Sequence, residues 1–446
     1  MGKNLSEKIK NRKLKCPGSP CHSLLSAILA GRVNLLFKPQ YVYHFDEAEM
    51  KGKQVVVIAD HAAWDSFYYV MAGYPFAKLN TVVGYHHVCK RFMYTILVKV
   101  FQVIPKRNYQ NDMLSMKQML KVAKMGGSLL VFPEGTQSKT GSTMPITPST
   151  AGFLKKLGIP VVLCKSFGSY LARPLWKTKT SKGHQEFHYE LLFDESQLSV
   201  MDKDEIYEKM LDRFRYNDFE WNKNFHYIYG QDAEGMEKIV YTCPNCGEKF
   251  RLKTTAHEIY CEACGMHLKV NEFLEFDAAD GEEPDAPKYH NIDEWLKDER
   301  KLLKEEIKDP SFKIEFDCEV FRLKEKLSLK PFESLGDARA VIDAQGISLA
   351  SATASEKSFE EEGKGVSPLK ADLRFDIKDL PSILTTVGEF NLIYHNNELY
   401  KIVPKGNNNI CMRNMIAIEE LHAQGDAAWE KVMADVYSCE NNPKQI

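Results

Sequence analysis

The segment that decides the fold runs from Ser128 to Ser138 and reads SLLVFPEGTQS. Its first five residues are mostly apolar, and its last six carry a proline, a carboxylate, a glycine and two hydroxyls. Short apolar runs bounded by turn residues are typical of the buried strands of an α/β sheet. Gly135 permits an unusual backbone turn, at which Glu134 and Thr136 present polar groups. The segment therefore predicts a buried strand that ends at a candidate site.

Two further apolar runs, Val55 to Ala59 and Ile159 to Leu163, have the same character. Between the first two runs, helical spacing over residues 113–123 with Asp112 as N-cap predicts a helix, and a second helix is predicted over residues 205–222. Strands that alternate with helices favour an α/β domain, which we expect to end near residue 235. Polar groups at the carboxyl ends of its strands are candidate active-site residues.

A histidine follows the first of these strands, in the segment Asp60 to Ser66. If a helix begins at His61, Asp65 lies one turn later and can accept a hydrogen bond from one imidazole nitrogen. This contact would fix the tautomer and leave the other nitrogen as a general base. The alternative is a capping aspartate beside a structural histidine. Further along, Arg107 offers a guanidinium that could clamp a phosphate.

Four segments, taken in this order, resemble the glycerolipid acyltransferase family, which includes lysophosphatidic acid and glycerol-3-phosphate acyltransferases. They contain His61, Arg107, the FPEGT motif at 132–136 and the Gly-Ile-Pro sequence at 158–160. The resemblance covers roughly residues 30–230. It implies an acyl donor that is acyl-CoA or acyl carrier protein and an acceptor that is a lysophospholipid or glycerol phosphate. The roles it implies are catalysis by His61 and substrate binding by Arg107, Glu134, Gly135 and Thr136. Asp65 is the catalytic partner of His61 that the one-turn spacing predicts.

This sequence departs from the family pattern at two places. The family has four residues between the histidine and the aspartate. Here three residues separate His61 from Asp65, and Ser66 stands at the position of the family's aspartate. Gln137 replaces the arginine that the family favours after FPEGT, and Lys139 could partly compensate. Either the turn is one residue tighter or the dyad is impaired. A catalytically impaired lipid-binding or scaffold protein is therefore the alternative to an O-acyltransferase.

Two CxxC pairs lie in residues 236–275, at Cys243 and Cys246 and at Cys261 and Cys264, with fourteen residues between the pairs. Four thiolates at this spacing form the tetrahedral set that structural zinc prefers, and iron is the main competitor. A closed four-cysteine site has no open coordination position. The pattern therefore predicts a zinc ribbon that stabilises a small module.

The rest of the chain is predicted as accessory segments. Residues 276–310 read as an acidic linker and a charged helix, and residues 311–446 as a β-rich domain with a terminal helix, similar to pleckstrin-homology-like barrels. Residues 1–37 combine a basic arm with a short apolar segment, which fits a membrane-interface anchor or else a solvated tail and a core helix. The acyltransferase domain then spans residues 38–235.

Composition limits the remaining choices. The chain has 446 residues and a formal net charge of -2, so it has no global basic field for nucleic acid, and a zinc ribbon that binds nucleic acid is the weaker reading. Scattered cysteines and the lack of a long apolar run indicate a reduced compartment and no spanning helix. We expect a cytoplasmic protein that is peripheral on the cytoplasmic face of a membrane.

Overall fold

The structure is a computed structural model that describes residues 4–177, 181, 183–278, 287–324, 326–351 and 368–437. Two compact units divide the chain. The first contains Met1–Gln231, Glu272–Leu274 and Val432–Ile446, and the second contains Asp232–Asn271 and Glu275–Lys431. Each unit is described by itself below.

The first unit is built on a seven-stranded sheet with the order β1-β7-β6-β2-β5-β3-β4. The pairs β2–β5, β2–β6, β3–β5, β3–β4 and β1–β7 are parallel, and β6–β7 is antiparallel. The strands are β1 Gln40–His44, β2 Val56–Ala59, β3 Leu79–Gly84, β4 Ile104–Lys106, β5 Ser128–Val131, β6 Val161–Phe167 and β7 Glu186–Phe193.

Eleven α-helices are described in this unit, several of them a single turn. They are α1 Leu5–Lys10, α2 Pro20–Leu36, α3 Glu47–Met50, α4 Ser66–Ala72, α5 Arg91–Met93, α6 Met113–Lys124, α7 Ser149–Leu157, α8 Ser169–Ala172, α9 Glu195–Val200, α10 Lys203–Phe214 and α11 Asp218–Asn222. A 3-10 turn covers Tyr85–Val88 and a π-helical segment covers Tyr94–Val100.

Helices cover both faces of the sheet because its central strand is apolar on both sides. Val56 and Ile58 of β2 pack with residues of α6, α7 and α10, and Val57 and Ala59 pack with residues of α2 and α4. All four residues are fully buried. A strand that is apolar on both faces belongs inside a helix–sheet–helix sandwich. The α/β architecture predicted for this region is therefore confirmed.

The second unit contains two antiparallel sheets. The smaller has the order β11-β10-β9-β8 and comprises β8 Leu252–Thr254, β9 Glu258–Cys261, β10 His267–Val270 and β11 Phe276–Ala278. The larger has the order β15-β14-β13-β12-β18-β17-β16. Its strands are β12 Ile314–Leu323, β13 Phe332–Asp343, β14 Gly346–Ser351, β15 Leu373–Asp376, β16 Leu384–Thr386, β17 Phe390–His395 and β18 Glu398–Pro404.

Three more α-helices are described after residue 231: α12 Ile292–Glu306, α13 Ile410–Gly425 and α14 Ala427–Tyr437. The β-rich C-terminal region is as expected, including the Asn396-Asn397 hairpin turn, where both residues have positive φ. A single terminal helix was expected, and the structure breaks it at Asp426. The likeness to pleckstrin-homology barrels stays a prediction, and part of residues 276–310 and of 311–446 lies outside the described residues.

The N-terminal arm is packed against the first unit, which differs from a solvated basic tail. Leu5, Ile9 and Leu14 are buried, and the Gln118 side chain donates to the Ile9 carbonyl at 3.0 Å. Leu5 and Ile9 are four residues apart, which is a helical spacing, but the basic residues around them favoured a solvated tail in the sequence. Within the described ranges, no helix combines the length and apolar character that a bilayer-spanning segment needs.

Candidate functional site

Two loops that follow neighbouring strands form the centre of the candidate site. β2 and β5 pair in parallel, from Val56 opposite Leu129 to Ile58 opposite Val131, so their carboxyl ends meet at one edge of the sheet. Residues 60–65 leave β2 there, and residues 132–148 leave β5. The sequence places His61 in the first loop and Glu134 in the second. This edge is where parallel α/β sheets carry their active sites.

The Glu134 carboxylate joins these two loops. One of its oxygens, Oε2, accepts from the His61 backbone amide at 2.7 Å, and Oε1 accepts from the Met144 amide at 2.7 Å. The Ser138 amide donates back to the His61 carbonyl at 2.9 Å. Glu134 is buried, and this burial raises its pKa to about 8, against the effect of the backbone hydrogen bonds. Glu134 therefore holds the backbone of His61 in place.

The turn after Glu134 brings a cation to the FPEGT motif. Gly135 has φ +66°, a left-handed conformation that glycine adopts without strain, and its carbonyl accepts from the Asn108 side chain. Lys139 Nζ donates to Thr136 Oγ1 at 3.1 Å, and both residues are buried. The lysine thus supplies positive charge beside the motif, where Gln137 has none.

The His61 ring is held in one tautomer by the backbone. Nδ1 lies 3.0 Å from the Ala63 carbonyl oxygen. Because a carbonyl oxygen can only accept, this contact requires Nδ1 to carry the hydrogen, which leaves Nε2 with a lone pair. Burial lowers the pKa of His61 to about 4, against the effect of the Ala63 hydrogen bond, which raises it, and His87 and Lys139 make smaller contributions in the same direction as burial. His61 is therefore a neutral base at physiological pH.

Among the described residues, no hydrogen bond or ion pair joins Asp65 to His61, which corrects the expected dyad. The helix that would have aligned them over residues 61–65 is absent, because α4 begins at Ser66. Arg173 donates to Asp65 Oδ2 at 2.9 Å, and the guanidinium lies 4.3 Å from the centre of the Trp64 ring. Asp65 does not cap α4 through its side chain either.

The Arg107 side chain and backbone both make hydrogen bonds to other residues of the protein. Its guanidinium donates to Ser6 Oγ of α1 at 3.1 Å and lies 4.5 Å from the centre of the Tyr85 ring. Its backbone amide donates to Asp112 Oδ2 at 2.8 Å. The side chain is buried, and its Nε atom has no hydrogen-bond partner among the described residues. The structure therefore ties Arg107 to the N-terminal arm.

Three contributors were missed by sequence reasoning. His87 follows β3, whose end lies at the same edge, and its strand-end position was a signal that could have identified it. Arg173 lies after α8 and meets Asp65 only through the fold. The role of the Ala63 carbonyl could not be predicted from the sequence, because every residue has a backbone carbonyl.

The four predicted cysteines meet in the second unit. Their sulfur atoms all lie within 4.8 Å of one another. Cys243 Sγ is 3.7 Å from Cys264 Sγ, and Cys246 Sγ is 3.9 Å from Cys261 Sγ. A tetrahedral ion with metal–sulfur bonds of about 2.3 Å places its sulfurs about 3.8 Å apart. The donor set therefore fits one tetrahedral metal ion.

Each cysteine pair is presented by a loop of the same geometry. The Gly247 amide donates to the Cys243 carbonyl and the Gly265 amide to the Cys261 carbonyl, both at 3.0 Å. Both glycines have φ +78°. On the first loop, Trp295 Nε1 of α12 donates to the Thr242 carbonyl at 3.0 Å, immediately before Cys243. The charged helix α12 is thus packed within the second unit through its buried face.

Comparison with known proteins identifies the part of the chain that carries the candidate site. No curated protein matches the chain. Among solved structures, the crystal structure of the 1-acyl-sn-glycerophosphate (LPA) acyltransferase PlsC from Thermotoga maritima is similar, with 15% sequence identity and a TM-score of 0.35 over 42% of this chain and 75% of that chain. Residues 40–164 match the Acyltransferase family model. This range includes β2, β5 and the two loops that follow them, so the chain carries an acyltransferase-like domain, and the match supports an acyltransferase-type function.

Proposed function

We propose that this protein is an O-acyltransferase that moves a fatty acyl group from acyl-CoA or acyl carrier protein to a hydroxyl of a lysophospholipid or glycerol phosphate. The observation that carries the proposal is the state of His61. Its Nδ1 is held by a carbonyl, its backbone is held by Glu134, and the described residues place no hydrogen bond on Nε2. An imidazole held in this way is suited to general-base catalysis.

The proposed reaction needs no covalent enzyme intermediate. The acceptor hydroxyl gives its proton to His61 Nε2 while its oxygen attacks the thioester carbonyl carbon. The carbon–sulfur bond then breaks, the new ester forms, and the thiol leaves with a proton returned from the imidazolium. A developing oxyanion requires hydrogen-bond donors or a nearby cation. Lys139 donates to Thr136 of the FPEGT motif and is a cation that could serve this purpose.

The acceptor phosphate is assigned to the Gly135–Thr136 turn and its surrounding cations. Lys139 is buried and influences both His61 and Glu134 electrostatically, which places it close to the base. Arg107 would reach a phosphate by giving up its contact with Ser6, and its guanidinium also lies 4.0 Å from Asp112 Oδ1. A charge-assisted bond to phosphate is stronger than one to a neutral hydroxyl, so phosphate can displace Ser6.

One observation favours the alternative of a catalytically impaired lipid-binding or scaffold protein. Asp65 is paired with Arg173 and not with His61, so the proposed base has no carboxylate partner for its ring within the part of the chain that the structure describes. The two functions differ in turnover. Thioester release from acyl-CoA or acyl carrier protein, measured against a panel of lysophospholipids and glycerol phosphate, identifies the enzyme and its substrates. Lipid binding without release would identify the scaffold.

We propose zinc as the metal of the four-cysteine site. Four thiolates in a closed tetrahedron are the usual ligands of structural zinc, and the sulfur separations match this geometry. A site with four protein ligands leaves no position for substrate. Its role would be to stabilise the small β8–β11 sheet and the loops that precede it.

We also propose that the protein acts at the cytoplasmic face of a membrane, to which α2 attaches it. Leu24, Ile28 and Leu35 of α2 are 62%, 55% and 76% exposed. Exposed apolar side chains on one helix mark an interaction surface. Lysines of the adjacent arm, including Lys10, Lys13 and Lys15, are exposed and would attract anionic headgroups.

A further inference from the structure

The Ala63 residue is enclosed between His61 and Ser66. Ser66 Oγ donates to the Ala63 carbonyl at 2.6 Å and accepts from the Ala63 amide at 2.9 Å. The Ser66 backbone amide also donates to this carbonyl at 3.1 Å. The same carbonyl oxygen accepts from His61 Nδ1 at 3.0 Å. The Ser66 hydroxyl is therefore one hydrogen-bonded group away from the imidazole.

We propose that Ser66 is the positioning residue of the His61 base and acts through the Ala63 carbonyl, in the place where a carboxylate would otherwise stand. This inference rests on the acyltransferase function proposed above. Ser66 is 2% exposed and opens α4, so its hydroxyl is fixed by the helix start. By holding both polar groups of Ala63, it sets the direction from which the carbonyl meets Nδ1.

The neighbouring carboxylate is not available for this task. Asp65 Oδ2 accepts from Arg173, and Asp65 Oδ1 is buried with no hydrogen-bond partner among the residues that the structure describes. A neutral carbonyl fixes the Nδ1–H tautomer without adding negative charge beside the ring. Burial is the main cause of the lowered His61 pKa, and His87 and Lys139 add to it, while the hydrogen bond to the Ala63 carbonyl acts against it and Glu134 contacts only the His61 backbone amide. The carbonyl therefore sets the tautomer of the imidazole, and burial keeps the ring neutral.

The first test compares Ser66→Ala with Ser66→Thr, which keeps the hydroxyl. Ser66→Ala should lower kcat by about 10- to 100-fold with little change in KM, because a misdirected base reduces the rate and not the binding. Ser66→Thr should recover most of this loss. Ser115→Ala is the matched control, since Ser115 is also buried near a helix start and its hydroxyl donates to a carbonyl three residues earlier, that of Asp112, at 3.0 Å.

The control should lose comparable stability in thermal unfolding and keep wild-type kcat. A wild-type kcat in Ser66→Ala would overturn the proposal, as would a larger loss in Asp65→Asn than in Ser66→Ala. Ser66→Asp adds a negative charge next to the Ala63 carbonyl, so the acid limb of its kcat/KM profile should move to higher pH. An unmoved acid limb would contradict the coupling between position 66 and His61.

A second measurement does not depend on turnover. In 15N-histidine NMR spectra of the full chain, His61 should appear as the neutral Nδ1–H tautomer. Ser66→Ala should shift this signal and Asp65→Asn should leave it in place. If the wild-type chain shows no acyl transfer but the NMR result holds, the proposed function fails and the Ser66 contact stands. If transfer occurs and the Ser66→Ala signal is unchanged, only the Ser66 proposal fails.

Discussion

The Glu134 carboxylate accepts a hydrogen bond from the His61 backbone amide at 2.7 Å, and so connects the loop that follows β5 to the loop that follows β2. Its other oxygen accepts from Met144 at the same distance. A motif that the family resemblance assigns to substrate binding therefore also holds the backbone of His61, the proposed base. Fixing the base in this way reduces the reorganisation that the reaction would need.

Glu134→Gln should destabilise the first unit and lower activity. Each oxygen of the Glu134 carboxyl group accepts from one backbone amide, so a glutamine must turn an NH2 group, which cannot accept, towards one of these donors. The expected loss is about 1–3 kcal/mol in the free energy of unfolding, measured by denaturant titration. Glu299→Gln is the control, because Glu299 Oε1 alone accepts from both Tyr241 and Thr242. Equal losses in the two variants would contradict this account of Glu134.

The pH dependence of kcat/KM should lack the usual histidine limb. Because burial lowers the pKa of His61 to about 4, Nε2 stays unprotonated as the pH falls from 7 to 5. Among nearby groups, burial raises the pKa of Asp60 to about 6 and that of Glu134 to about 8, but both act on backbone or hydroxyl groups and not on Nε2. An acid limb that is centred near the ordinary histidine value of about 6.5, and that Glu134→Gln does not move, would contradict this prediction.

The ribbon should contain one zinc ion per chain. Elemental analysis of the purified full chain measures the stoichiometry, and Cys246→Ser should reduce it because only three thiolates remain. Cys89→Ser, at a buried cysteine of the first unit, is the control and should keep the metal. A metal-free preparation with the ribbon fully folded would exclude a structural metal, and iron in place of zinc would exclude the identity proposed.

Membrane attachment should depend on the exposed face of α2. Replacing Leu24, Ile28 and Leu35 with serine removes apolar groups that contribute little to the core, so the protein should stay folded while its sedimentation with anionic vesicles falls. Val200→Ser is the control, at an apolar residue that is 81% exposed in α9. Deleting residues 1–37 is a poorer test, because it removes Leu5 and Ile9 from the core. Unchanged vesicle binding in the triple variant would place the attachment elsewhere.

The sequence predicted those features that depend on local patterns. Buried apolar runs identified β2, β5 and β6, and Asp112 caps α6 by accepting from the Leu114 and Ser115 amides, as its position indicates. The CxxC spacing predicted a cysteine cluster, which the structure contains. In each case the physical cause lies within a few residues of the chain, so one sequence is sufficient.

The predictions that failed depend on contacts between distant residues. The spacing in the sequence predicts that Asp65 faces His61. In the structure Asp65 instead accepts from Arg173, a residue distant in the sequence, at 2.9 Å. The helix expected over residues 205–222 is interrupted at Arg215–Asn217, where Asn217 caps α11 by accepting from the Phe219 amide. The N-terminal arm contributes buried Leu5 and Ile9 although lysines surround them. Such contacts are tertiary, and local periodicity does not encode them.

Thioester release, measured for the purified full chain and for its His61→Ala variant, tests the central claim most directly. The wild-type chain should release thiol from acyl-CoA or acyl carrier protein only when an acceptor lipid is present, and His61→Ala should abolish this release while preserving the melting temperature. His226→Asn is the matched control, at an exposed histidine with φ +53°, a conformation that asparagine tolerates. It should react as the wild type does. Acceptor-dependent release that persists in His61→Ala would contradict the assignment of His61 as the base.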